Sequence, residues 1–134
     1  MEKDTKKRAE RAFYPEEVKS IYIALTEGDN TEQAPFETYK QVFMLAACMG
    51  YRKNLRRSLP AGKKPDIRME VFSEKDKYIL KGIALAASGE VELLEDFAYM
   101  DIIEEYAYSG IYEVKTELMD KPGAVLWNLV GLFF

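Results

Sequence analysis

The chain has 134 residues, 48% of them apolar, with 19 Lys and Arg against 23 Asp and Glu, no histidine and one cysteine. The length suits one domain that buries roughly two-thirds of its unfolded surface, and the apolar fraction excludes global disorder. Lacking histidine, the chain holds no Ser-His-Asp or Cys-His nucleophile system, and one cysteine closes no internal disulfide, zinc or iron–sulfur site.

Residues 1–11 are charged and lack the apolar stretch of a secretory signal. Residues 1–13 are read as a charged arm, free to be flexible, leading into a helical domain that takes up the rest of the chain. Pro15 and the acids Glu16 and Glu17 suit a helix start, and Val18, Ile21, Tyr22 and Leu25 recur at helical spacing. Gly28-Asp29-Asn30 should end that helix in a turn. A second helix is expected from near Pro35 to Met49, apolar almost all round and so central, with Gly50 as its C-cap and Cys48 a buried, inert thiol.

Residues 51–72 read as a long loop, broken by Pro60, Gly62 and Pro65. Ile67, Met69 and Val71 alternate with Arg68, Glu70 and Phe72, which allows a short extended segment lying against helices. Ser73 and Asp76 mark the next helix start. Its expected apolar face is Tyr78, Ile79, Ile83, Ala86 and Ala87, broadened by Leu80 and Leu85, with Gly89 as the cap. A helix from Glu90 to Gly110 should turn Glu92, Glu95, Asp96, Asp101, Glu104 and Glu105 to water, and a short helix should follow over residues 111–119. Lys121-Pro122-Gly123 is a turn. Residues 124–134 carry no charge and must dock on the core or on another subunit. No apolar run nears the roughly 20 residues of a membrane span. The expectation is an all-α, cytoplasmic single domain of five to six helices with a long basic loop, independent of membranes.

Charge is segregated. Residues 1–68 hold 14 basic and 10 acidic side chains, net +4, and residues 69–134 hold 5 and 13, net −8. The densest basic stretch contains Arg52, Lys53, Arg56, Arg57, Lys63, Lys64 and Arg68, with Asp66 its only acid. Two readings are open for it: contact with nucleic-acid phosphates, or docking on acidic helices of this chain or a partner. The tail likewise reads as a last core helix, or as a homo-oligomer or partner interface through Trp127, Leu132, Phe133 and Phe134. The carboxylates at helical spacing read as a solvated face, not a metal site. No Gly-rich phosphate loop or base-reading motif is present. No catalytic residue, metal or cofactor is expected.

The stretch Phe36-Glu37-Thr38-Tyr39-Lys40-Gln41-Val42-Phe43-Met44-Leu45-Ala46-Ala47-Cys48-Met49-Gly50-Tyr51 carries a pattern F-x-T-Y-K-x-x-x-x-L-A-A-x-x-G-[FY]. With the basic loop after it, the segment at residues 67–72, and Glu104-Glu105-Tyr106-Ala107 before Gly110, it resembles the small accessory proteins of DNA phosphorothioation (Dnd) systems. The resemblance spans about residues 32–120. It implies a non-enzymatic accessory or regulatory role in bacterial systems of modification, restriction and phage defence that exchange a backbone phosphate oxygen for sulfur. The basic loop would then touch DNA or a DNA-bound protein of the same system. The rival reading is a protein-interaction module, using acidic helices and the apolar tail, that never touches DNA.

Overall fold

In the computed structural model, which describes residues 8–133, the first element is a strand. β1 (Arg11–Phe13) pairs antiparallel with β2 (Asp66–Arg68), setting Arg11 opposite Arg68 and Ala12 opposite Ile67. Ala12 and Ile67 are both buried, so the ribbon closes one side of the core. Of the N-terminal arm read from the sequence, residues 1–7 lie outside the described residues. Arg8 is held against α4, and Arg11–Phe13 is strand.

The five helices of the described residues are α1 (Lys19–Thr26), α2 (Tyr39–Lys53), α3 (Glu74–Ser88), α4 (Met100–Val114) and α5 (Val125–Leu132). A 3-10 turn at Glu16–Val18 leads into α1, and a π turn at Lys115–Met119 prolongs α4. The all-α expectation holds, with a two-stranded ribbon added. The extended segment expected near residue 67 pairs with β1 instead of lying alone against helices.

Local signals set the helix ends. Thr38 accepts from the Gln41 amide while the Gln41 side chain accepts from the Thr38 amide, a reciprocal cap that starts α2. Ser73 and Asp76 do the same for α3. Asn54, at φ 56°, ends α2, and Gly89, at φ 72°, ends α3.

Gly50 and Gly110 do not end helices. Both lie inside α2 and α4, at the crossing that forms the centre of the molecule. A Cβ on Gly50 would stand 2.1 Å from the Tyr106 carbonyl oxygen, and one on Gly110 would stand 1.7 Å from that of Ala46. The two backbones touch there because neither glycine has a side chain. Around the crossing, Val42, Phe43, Ala46, Ala47, Ile103, Ala107, Ile111 and Val114 are buried in one apolar cluster.

The single helix expected over residues 90–110 is broken. A 3-10 turn spans Val91–Leu94, Asp96 takes a left-handed conformation at φ 51°, and α4 starts only at Met100. That helix then runs through Gly110 into residues expected to form a separate short helix. On α3, Leu80 and Ala84 are the buried positions, whereas Tyr78, Ile79, Leu85 and Ala86 face outward. Cys48 is exposed rather than buried: the crossing occupies the opposite side of α2. Its thiol is still pushed up by partial burial, away from the thiolate form.

The C-terminal helix rests on the outside of the core. Leu126 N–H donates to the Glu32 carbonyl, Val125 N–H to the Gln33 side chain, and the Asn128 amide to the Leu118 carbonyl. Val125 is buried, but Trp127 and Phe133 are 60% and 69% exposed. Phe134 lies outside the described residues. No helix among the described residues is long and apolar enough to cross a membrane.

Candidate nucleic-acid interface

The basic stretch is not one loop. Arg52 and Lys53 close the last turn of α2, Arg56, Arg57, Lys63 and Lys64 lie in the connection over residues 54–65, and Arg68 is in β2. The connection is anchored at both ends. Leu55 N–H donates to the Gly50 carbonyl and Arg57 N–H to that of Glu105, while Tyr14 N–H donates to Pro65 at the far end.

Several cations are engaged by α4. Arg56 pairs with Glu105 at 2.8 Å and stacks over Tyr106 at 5.6 Å. Lys53 reaches Glu113 at 3.4 Å. Arg57 lies over Tyr108 and Tyr112, 5.1 and 4.8 Å from the ring centres. Those two phenols donate to Glu17, at 2.8 and 2.6 Å. The hydrogen bonds from Tyr112 and Tyr108 hold the Glu17 carboxyl below its ordinary range. Burial, followed by the bond to Glu17, pushes the Tyr112 hydroxyl up to about 12. Glu17, Tyr108, Tyr112 and Arg57 thus form a clamp that joins the first helical turn, α4 and the connection. Periodicity did not expose this clamp; Tyr108 and Tyr112, one helical turn apart, were its only trace.

Arg52, Lys63 and Lys64 form no ion pair among the described residues; Lys64 Nζ donates only to the neighbouring Gly62 carbonyl, at 2.7 Å. Arg68 is mostly exposed and meets Glu70 at a loose 3.6 Å. Arg11 pairs with Asp66 at 3.3 Å, so the sole acid of the basic stretch is occupied as well. The seven cations therefore divide: Lys53, Arg56 and Arg57 are engaged by α4, whereas Arg52, Lys63 and Arg68 are exposed and the half-buried Lys64 meets no acid. The acids on α4 are all engaged within the chain. Glu105 and Glu113 are paired to these cations, and Asp101 binds Arg8 at 2.9 Å.

Glu104 departs from the outer face assigned to it. It is buried, and its carboxylate accepts from the Arg8 guanidinium and from the Phe13 amide, the latter at 2.8 Å. Burial pushes this carboxyl up to about 7, against the opposing pull of Arg8 and the Phe13 N–H. No group of three or more Cys, Asp or Glu side chains among the described residues is placed to hold a metal ion.

The tail supplies a second surface. Leu132 and Phe133 border a small apolar pocket of about 170 Å³ with Leu45, Cys48, Met49 and Arg52. One of the free cations therefore stands at the edge of the exposed tail.

The molecule is thus an all-α protein whose basic connection is pinned at its base and charged toward its tip. Residues 11–130 match the family model described as DNA sulphur modification system-associated protein 4, and the chain belongs to that family. It is thereby associated with a DNA sulphur modification system, as the resemblance implied. No curated protein and no solved structure shows significant similarity to the chain.

Proposed function

We propose that this chain is a non-enzymatic accessory protein of a DNA sulphur modification system, acting in the cytoplasm in modification, restriction and phage defence. It contacts the DNA backbone through Arg52, Lys63, Lys64 and Arg68. The observation that carries the reading is the division of the cations: Lys53, Arg56 and Arg57 are engaged by α4, whereas Arg52, Lys63 and Lys64 form no ion pair among the described residues and Arg68 only a loose one. A charged tip on a pinned base loses little conformational entropy on meeting phosphates. The lack of histidine in the sequence supports the non-enzymatic part.

The test is anisotropy of labelled duplex DNA at low salt. Lys63→Ala with Lys64→Ala should weaken binding about tenfold or more while leaving the thermal midpoint unchanged. An unaltered affinity would refute the assignment of these lysines. Incubation with Mg²⁺ should leave the DNA intact; cleavage that is lost in Glu104→Gln would refute the non-enzymatic role.

A second reading is favoured by the exposed Trp127 and Phe133, which suit binding to another protein of the same system. On that reading Trp127→Ala releases a co-purifying partner and leaves DNA affinity unchanged. The acidic face of α4 supports it less, because its carboxylates are already paired within the chain.

A further inference from the structure

The outer face of α3 (Glu74–Ser88) takes no part in the proposed DNA contact. Relative to Gly82, the positions Lys75, Tyr78, Ile79, Leu85, Ala86 and Gly89 all fall on one side of the helix, opposite the buried Leu80 and Ala84. Tyr78 is 64% exposed, Ile79 48% and Leu85 36%. An exposed helix face is ordinarily charged, whereas this one carries a single charge, Lys75, at its N-terminal end.

Gly82 at its centre costs roughly 1 kcal/mol of helix stability relative to alanine. The two glycines of the α2–α4 crossing are explained by backbone that would overlap a Cβ. Gly82 meets nothing within 4 Å, so the folded chain itself gives no reason for it. The same device, a glycine flanked by apolar side chains inside a helix, stands here without a partner helix.

We infer that α3 pairs with α3 of a second copy of this chain, antiparallel and crossing at Gly82. In that arrangement Ile79 meets the partner's Leu85 and Tyr78 meets the partner's Ala86. Lys75 reaches the C-terminal end of the opposite helix, where the partner's Glu90 lies just past the partner's Gly89. A parallel pairing would set Lys75 on Lys75 and Glu90 on Glu90. The antiparallel one joins opposite charges twice and opposes the helix dipoles. Neither Lys75 nor Glu90 has an ion partner among the described residues of its own chain. Residues 1–7 carry five charged side chains and suit this apolar face poorly. A single helix face of this size falls short of the roughly 800 Å² per partner of a standard interface, which places the dimer at the weak, reversible end of specific association.

The test is sedimentation velocity of the full chain under reducing conditions, from about 1 to 500 µM, a range that spans dissociation constants typical of such areas. The wild-type protein should shift from monomer to dimer with concentration. Ile79→Asp should weaken association at least ~100-fold, since it buries a charge in the interface. Gly82→Leu, for which the isolated helix has open space, should weaken it at least ~10-fold without lowering the thermal midpoint. Trp127→Ala should leave it unchanged. A wild-type chain that stays monomeric to the highest concentration overturns the inference. So does a dimer that survives both Ile79→Asp and Gly82→Leu, or one lost only in Trp127→Ala. DNA affinity of Lys63 and Lys64 variants does not bear on the outcome, so the two proposals fail separately.

Discussion

Gly110→Ala is the substitution most sensitive to the helix crossing at the centre of the fold. An added Cβ would sit 1.7 Å from the Ala46 carbonyl oxygen and 2.8 Å from the Gly50 amide nitrogen, both backbone atoms that cannot rotate aside. Relief requires α2 and α4 to part by at least about 1 Å, which forfeits close contacts along the whole crossing. Overpacking of this kind costs about 3 kcal/mol or more, and the helix propensity gained by alanine returns at most about 1. The net loss, roughly 2–3 kcal/mol, should lower the thermal midpoint by about 10 °C in a chain of this size. Circular dichroism melts of the wild type, Gly110→Ala and Gly82→Ala provide the assay. Gly82→Ala is the internal control and should raise the midpoint, because its Cβ meets nothing in the isolated chain. A midpoint for Gly110→Ala equal to or above that of the wild type would refute the close crossing.

Three further outcomes follow from the same contacts. Glu104 has a carboxyl raised on folding from 4.5 to about 7, so the folded state binds its proton first. That contribution to stability is full below pH 4.5 and is lost as pH rises through 7, on the order of 3 kcal/mol. Denaturant titrations of Glu104→Gln should therefore flatten the pH dependence between about 4.5 and 7, and an unchanged slope would contradict the burial of this carboxyl. The Tyr99 hydroxyl is buried without a hydrogen-bond partner among the described residues, so Tyr99→Phe should be neutral or stabilising by up to about 1 kcal/mol; a loss beyond that on thermal melting would show a hidden partner. Arg57→Ala removes the guanidinium from Tyr108 and Tyr112 and should cost about 1 kcal/mol, seen as a lower midpoint together with faster proteolysis in residues 54–65.

Much of the fold was readable because it rests on local chemistry. The Ser73–Asp76 cap, Gly89 and the Lys121-Pro122-Gly123 turn act over a few residues and stand where the sequence puts them. Gly50 and Gly110 depart from the expected helix stops for a physical reason. A glycine at the end of an apolar run suits a helix stop and a close crossing equally, and only the opposing helix decides between them. The strand pairing of Arg11–Phe13 with Asp66–Arg68 joins segments more than 50 residues apart, so no local signal announces it.

α3 shows a related limit. Its apolar positions span most of the helix circumference, and periodicity cannot tell which side meets the core. At the candidate interface the charges were legible but their partners were not. The sequence shows seven cations and many acids; only the packing of residues 54–65 on α4 shows that Arg56 and Arg57 are spent on anchoring. Substituting those two arginines would confound lost binding with a loosened fold, which is why Lys63 and Lys64 are the informative positions.

The most direct measurement is the salt dependence of duplex DNA binding by the full chain. With Arg52, Lys63, Lys64 and Arg68 on phosphates, the logarithm of the binding constant should fall against the logarithm of salt concentration with a slope of about −3 to −4. In the Lys63→Ala, Lys64→Ala variant the slope should ease to about −2. Binding that is absent at low salt, or a slope the double variant does not change, would contradict DNA contact through this tip.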